Sequence, residues 1–519
     1  MFLETGSYGR SLSLNVLGCF FITFLGEFGR GMKALLQYLS ERGSFPALIT
    51  VFSSFVAASV TGALSAAELL CVVVIVGMQF YFQLYNKFFS RLVPIEWLSS
   101  ENSLAPASHY RRINWFLAVV PLLFCVTTLL AWAAVGCAVL YFSPGMVRLA
   151  RRLLARNRIL NTEVKRLDDL SPQVAVYVSG PENVAYQINQ WLPVLEELDQ
   201  RVVIVVRQRQ MYNGMHETRL PIIHARNAMH VERVLESGIQ TVLYPANPMQ
   251  NLIALRHFKL NHYFINHGES DKAVNQNKLL RAYDKLLVGG PLAHRRLVEA
   301  GLNLRDGQVE YVGRPQAEMA LDQLDGYEAK AVSAILYAPT WEGFVEDANY
   351  SSVSEFGLGV LQALVRGGYK VVFKPHPYTG SRSGITRRAF EEIKAFCASN
   401  NVEVVDSLVS IHTCMNRSDL LITDVSSVLN EYLVTRKPVV LCVTDRLAGA
   451  DLAIEFPSSR AAYALKAPEG VEALVKSIAK DDPLAEQREA VRKDSLGDFP
   501  EGALNRFKSV ISASVSDAV

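Results

Sequence analysis

Short apolar runs that alternate with helix-patterned segments constrain this chain more than any other feature. Beyond Pro172, the runs Val174–Val178, Val202–Val206, Thr241–Tyr244, Tyr263–Ile265 and Leu286–Val288 are apolar apart from Thr241 and read as buried strands. Between the first two, Glu182–Leu198 spaces Ala185, Ile188, Trp191, Leu195 and Leu198 as a helix does. A second series follows in Ile335–Tyr337, Val371–Phe373, Val402–Val405, Leu420–Ile422 and Val439–Cys442, with helical segments at Val353–Val365 and Arg388–Ala398. Strand and helix in alternation build a parallel sheet covered on both sides, and two such series build two doubly wound domains. The break between them falls between Gly313 and Ser333.

Ligands of such sheets sit beyond the carboxyl ends of the strands, so the functional reading rests on the residues found there. His267 follows Tyr263–Ile265 and precedes Gly268, and an imidazole in that place can take a proton from an attacking hydroxyl. A histidine at a strand end is more often a hydrogen-bonded structural residue, so it counts only in company. The company is Lys374-Pro375-His376-Pro377 after Val371–Phe373, where the prolines restrict the backbone around His376 and Lys374 adds a cation. Thr340-Trp341-Glu342, after Ile335–Tyr337, offers an aromatic wall and a carboxylate. Arg314, after Val312-Gly313, carries the guanidinium fork that pairs with phosphate. Leu420–Ile422 runs into Thr423-Asp424-Val425-Ser426-Ser427, where a helix over Val428–Val434 is expected to begin. Serines there cap the helix and offer hydroxyls beside its free N–H groups. Split between two sheets, these motifs imply an interdomain cleft that holds a diphosphate.

Half of the residues are hydrophobic, and the long apolar runs are confined to roughly the first 145 positions. Leu12–Leu25, Phe45–Gly62, Ala67–Tyr85 and Trp115–Phe142 are read as a transmembrane region of three to four helices over 1–146. A basic juxtamembrane linker follows at 147–170, with Arg148, Arg151, Arg152, Arg156 and Arg158 before the first acid, Glu163. Such a cluster predicts a multi-pass protein of the cell membrane whose remaining chain is cytoplasmic. Lys87, Arg91, Arg111 and Arg112 flank the fourth run on its other side, so either that run is a hairpin or one flank lies outside. A net charge of +2 without a dense basic stretch gives no support to a nucleic-acid partner. Seven cysteines without a CxxC pair read as free thiols in a reducing compartment.

With these residues in view, the segment from Tyr263 to Leu441 resembles the CDP-glycerol glycerophosphotransferase family, the teichoic-acid primases and polymerases of bacterial envelopes. The resemblance is carried by His267-Gly268, Tyr283-Asp284-Lys285-Leu286-Leu287-Val288, Ile335–Trp341, Lys374-Pro375-His376-Pro377 and Leu421–Ser427. It implies an α/β, GT-B-like architecture of two Rossmann-like domains facing a cleft, here preceded by the all-α transmembrane region. Residues 171–318 would form the acceptor side, and residues 319–519, with the C-terminal helices, the CDP-donor side. The implied reaction moves a polyol phosphate, glycerol phosphate foremost, from a CDP-activated donor to a hydroxyl of a lipid-linked acceptor at the bilayer. In that reaction His267 is the implied general base and His376 the implied contact to the donor diphosphate. Ser426 and Ser427 would bind that diphosphate with Asp424 supporting the turn, and Arg314, Thr340, Trp341, Glu342 and Lys374 complete the candidate donor site.

No cofactor is expected beyond the donor, no carboxylate cluster resembles a metal cage, and a divalent cation held by the diphosphate is compatible with the reading. The better-known polymerases have Trp before the histidine-glycine pair and Thr-Pro-Leu-Lys after it. This chain has Asn266 before and Glu269-Ser270-Asp271-Lys272 after. Two other classes fit the same motifs. One is a membrane-bound GT-B glycosyltransferase using a nucleotide sugar, similar to bacterial polysialyltransferases, with Glu269 as base. The other is a non-catalytic membrane scaffold.

Overall fold

The structure is a computed structural model. It describes residues 165–519 except 273–277, 322–331, 344–348, 407–408 and 517–519, together with 95–98, 162 and scattered positions within 50–79 and 120–137. The chain separates into two compact units, Met1–Pro94 with Asn102–Thr162, and Ile95–Glu101 with Glu163–Val519.

In the first unit positions 53–54, 56–60 and 66–76 are helical, and the Thr50 hydroxyl donates to Gln79 Oε1 at 2.9 Å. Most residues of the four apolar runs lie outside the described ones, so the expected helices of 1–146 are described only in part. Among the described residues no helix is long and apolar enough to cross a membrane.

The second unit holds two sheets. The first has the order β1-β4-β3-β2-β5-β6-β7-β8, with β1 Glu96–Trp97, β2 Val174–Val178, β3 Val202–Val206, β4 Ile222–His224, β5 Thr241–Tyr244, β6 Asn261–Phe264, β7 Lys285–Val288 and β8 Val309–Tyr311. All its pairings are parallel except that of β1 with β4. The second sheet is parallel throughout, in the order β11-β10-β9-β12-β13-β14. Its strands are β9 Ala334–Ala338, β10 Lys370–Phe373, β11 Glu403–Val404, β12 Leu420–Thr423, β13 Val439–Cys442 and β14 Ala462–Leu465. Each order runs outward in both directions from a central pair, β2/β5 and β9/β12, and leaves a crevice at its switch point.

Both faces of each sheet are covered. Val174, Val176 and Val178 pack into one core while Ala175 and Tyr177 pack into another, and Ile335/Tyr337 and Leu336/Ala338 divide in the same way. Burial on two sides is the reason these strands read as unbroken apolar runs.

The helix expected over Glu182–Leu198 is broken into Glu182–Val184, Tyr186–Asn189 and Leu192–Glu196. Pro193 offers no N–H to continue the preceding turn. The last helix, Ala503–Ser516, corrects the domain division drawn along the sequence. It returns to the first sheet, where Phe507 and Ile511 join the core of β2 and β3 and Phe507 lies 5.3 Å from Trp191 between ring centroids. Ser514 bonds Thr241 of β5, hydroxyl to hydroxyl, at 2.8 Å. The expected C-terminal domain of 319–519 therefore contributes its final helix to the other half. Backbones meet closely where the chain crosses over: a Cβ on Gly289 would lie 2.5 Å from the Ser495 carbonyl oxygen.

Candidate active site

The carboxyl ends of the two sheets open onto one cavity of about 670 Å³. Of the residues singled out from the sequence, His267, Thr340, Trp341, Lys374, His376, Ser426 and Ser427 line it. Arg314, Glu342 and Asp424 do not.

His267 follows β6 through Asn266, whose φ of +49° turns the chain out of the strand. Its Nδ1 lies 3.0 Å from the Pro245 carbonyl, at the end of β5. A carbonyl only accepts, so Nδ1 carries the proton and Nε2 keeps the lone pair. Burial, opposed by the Pro245 bond, lowers its pKa to about 4, and the ring is neutral at pH 7.

His376 follows β10 and is held in the other tautomer. Its Nδ1 accepts from the Tyr378 N–H at 3.1 Å, so the proton of the neutral ring sits on Nε2. Burial, assisted by Lys272, lowers its pKa to about 3. Trp341 stacks on it with centroids 5.8 Å apart and planes at 16°. Tyr186, from the first half, meets both imidazoles edge-on, at 5.7 Å from His267 and 6.0 Å from His376.

Two expected donor contacts, Arg314 and Glu342, lie outside the cavity lining, and Asp424, expected to support the turn, lies there with them. Arg314 is buried behind the cavity, where Nη2 donates to the His267 carbonyl at 2.8 Å and to Glu431 Oε1 at 3.3 Å. Glu431 also receives His412 Nε2 at 2.8 Å. Burial acts to raise its pKa, but these bonds outweigh burial and hold it below the usual carboxylate range. Glu342 accepts the N–H groups of Gly380, Arg382 and Ser383 at 3.0, 2.8 and 3.1 Å, and thereby fixes the turn that leads into helix Gly384–Ser399. Asp424 accepts from the N–H groups of Thr340 at 2.7 Å and Ser352 at 3.1 Å, which ties the ends of β9 and β12 together. Its burial raises the pKa to about 6. Lys374 lines the cavity, but its ammonium donates to the Asp406 carbonyl.

Ser426 is the N-cap of helix Ser427–Tyr432 in extended conformation, with no side-chain cap bond. Ser427 lies directly against the glycine after His267: a Cβ on Gly268 would stand 2.8 Å from both Ser427 Cβ and Oγ. Any larger residue there would push the two halves apart.

Sequence reasoning did not assign Tyr186, Asn189, Lys272, Tyr378, His412 or Glu431, all of which line the cavity or, as with Asn189, also shape it. Asn189 donates to the Gly214 carbonyl at 2.9 Å and accepts the His216 N–H at 3.0 Å, pinning that wall. Lys272 was in plain view within the Gly268–Lys272 motif. Tyr186 fell between the apolar positions that defined the helix pattern. Among the described residues no three His, Cys, Asp or Glu side chains converge as a metal site.

Residues 250–503 match the family model described as CDP-Glycerol:Poly(glycerophosphate) glycerophosphotransferase. Among solved structures, the chain is similar to the wall teichoic acid polymerase TagF at 16% identity, over 73% of this chain and 99% of that one, with a TM-score of 0.48. It is also similar to the S. aureus MnaA–UDP co-structure at 13% identity, over 66% of this chain and 97% of that one, with a TM-score of 0.43. No curated protein matches it.

Proposed function

Since the chain belongs, over residues 250–503, to the CDP-glycerol glycerophosphotransferase family and is an enzyme of that type, we propose that it transfers glycerol phosphate from CDP-glycerol to a hydroxyl of a lipid-linked acceptor during assembly of a teichoic-acid-like envelope polymer. The observation that carries this reading is the pair of neutral imidazoles, one from each sheet, that reach one cavity in opposite tautomers.

The acceptor oxygen attacks the β-phosphorus. Its proton passes to His267 Nε2, the bond from the β-phosphorus to the bridging oxygen breaks, and CMP leaves. His376 Nε2–H donates to an oxygen of the diphosphate and stabilises the charge that develops on it. Ser426 and Ser427 add hydroxyl and N–H donors at the helix tip. Chemistry of this kind is mostly alignment and charge stabilisation, which suits a cavity built at two switch points.

The acceptor's lipid and the membrane setting draw support from the apolar runs and the Arg148–Arg158 cluster. A CDP-activated donor is cytosolic, so we place the catalytic unit on the cytoplasmic face.

The polysialyltransferase-like alternative needs Glu269 as base. Its Oε1 instead accepts the Gly289 N–H at 2.9 Å, and the residue does not line the cavity. The test is CMP release by the full chain in membranes, supplied in parallel with CDP-glycerol and CMP-sialate. Release from CDP-glycerol alone is expected. Release from CMP-sialate alone would overturn the assignment.

A further inference from the structure

Most charges around the cavity are already engaged. Arg314 and Glu431 hold each other, Glu431 also binds His412, and Lys374 donates to a backbone carbonyl. Both strand-end imidazoles are neutral. Lys272 differs from all of these. Its ammonium donates to the Thr340 hydroxyl at 2.7 Å, across from one half of the cavity to the other. Among the described residues no carboxylate lies within ion-pair distance of it. Asp424 is the charged group that favours its ammonium form, and the Asp424 Oδ2 is occupied by two backbone N–H groups. Burial accordingly draws the pKa of Lys272 down to about 8.

An under-compensated cation in a lined cavity gains most from an anion of more than one charge. Position selects which phosphate. Lys272 sits five residues after His267 in the same strand-end loop, so it stands on the side from which the acceptor hydroxyl is deprotonated. It also touches Thr340, at the end of the central strand of the second sheet. We propose that Lys272 releases Thr340 and binds the β-phosphate of the donor, the phosphate being transferred, so that donor binding fastens the two halves across the cleft. This rests on reading the cavity as a CDP-donor site.

The experiment is equilibrium binding of CMP and CDP to the full-length protein in membranes or detergent, for wild type, Lys272→Met and Lys272→Arg. Lys272→Met is expected to weaken CDP by roughly 10- to 100-fold, the range of a charge-assisted hydrogen bond. CMP, which lacks the second phosphate, should stay within about twofold, and its retained binding shows that the variant is folded. Lys272→Arg keeps the charge and is expected to hold the CDP-to-CMP ratio within roughly fivefold of wild type. Equal losses of CMP and CDP, or no loss of either, overturn the β-phosphate assignment while leaving the donor-site reading intact. Should wild type bind neither nucleotide, both fall together. If Lys272→Met fails to fold, the arginine variant decides: a ratio shifted tenfold or more overturns the role of charge at this position.

Discussion

His267 and His376 stand just past the carboxyl ends of buried strands, one in each sheet, and the protein fixes their rings in contrasting ways. His376 is held within its own half. Its Nδ1 takes an N–H from two residues further on, and the turn behind it is organised by Glu342 of the same half. His267 is held at the seam. Its carbonyl receives Arg314, which also bonds Glu431 of the opposite half, and the next residue is a glycine pressed against Ser427. The partner offered to Nδ1 sets the tautomer, and the tautomer sets the chemistry: a carbonyl frees Nε2 to accept a proton, whereas an N–H leaves Nε2 protonated to donate. His376 is oriented by its own half alone. His267, the proposed base, is tied to the seam.

The sharpest way to break this comparison is to replace each ring with glutamine, which keeps a donor near the Nε2 position but cannot act as a base. His267→Gln is expected to lower kcat by ~10³-fold, within the range for general bases, and His376→Gln by only ~10-fold. The reverse order would show that the tautomers are assigned to the wrong rings. The wild-type pH profile makes the same point. Because burial draws His267 down to about 4, kcat/KM should hold as pH falls through 6.5 and be lost only near pH 4. Stability has the same sign. The folded pKa values of both histidines lie below the unfolded one, so their contribution is complete above pH 6.5 and declines as pH falls toward 4 and 3. An activity limb at 6.5 would mean that the base is solvated.

The same contrast explains what the sequence disclosed. Strands buried on both faces were legible as apolar runs. β1, β4 and β14 were not: β1 and β4 are short, lie at or next to a sheet edge and contain Glu96 and His224, and β14, at the edge of the second sheet, is largely unburied. Strand-end motifs were legible because doubly wound topology gathers carboxyl ends at one place. Which partner each polar atom would meet was not. Arg314 reads as a phosphate ligand until Glu431, more than a hundred residues away, is found beside it. Glu342 reads as a cavity acid until three N–H groups close over it.

A second way to probe the seam is Arg314→Met. Removing the guanidinium leaves the buried Glu431 carboxylate with His412 alone and frees the His267 carbonyl. Breaking one member of a buried pair typically costs about 3–5 kcal/mol, and a matching fall in unfolding free energy is expected by denaturant titration. Adding Glu431→Gln should recover part of that loss. Among molecules that remain folded, kcat should fall more than CDP affinity, because the proposed base loses its anchor while Glu431, on the donor-side helix, keeps its bond to His412. Equal effects on both would mean that the halves are not held independently.

The mildest test lies wholly on the donor side. In Glu342→Gln the amide oxygen can still accept from Arg382 and Ser383, but the amide nitrogen would face the Gly380 N–H that the carboxylate now binds. One buried N–H loses its acceptor, and a stability loss of about 1–2 kcal/mol follows. The turn from His376 to Gly380 should loosen slightly, with the KM for CDP-glycerol rising no more than a few-fold and kcat unchanged. The direction of the split is the informative part. A carboxylate that touched the donor would instead raise KM by an order of magnitude or more while leaving unfolding free energy where it was, and that outcome would return Glu342 to the cavity from which its three backbone bonds now remove it.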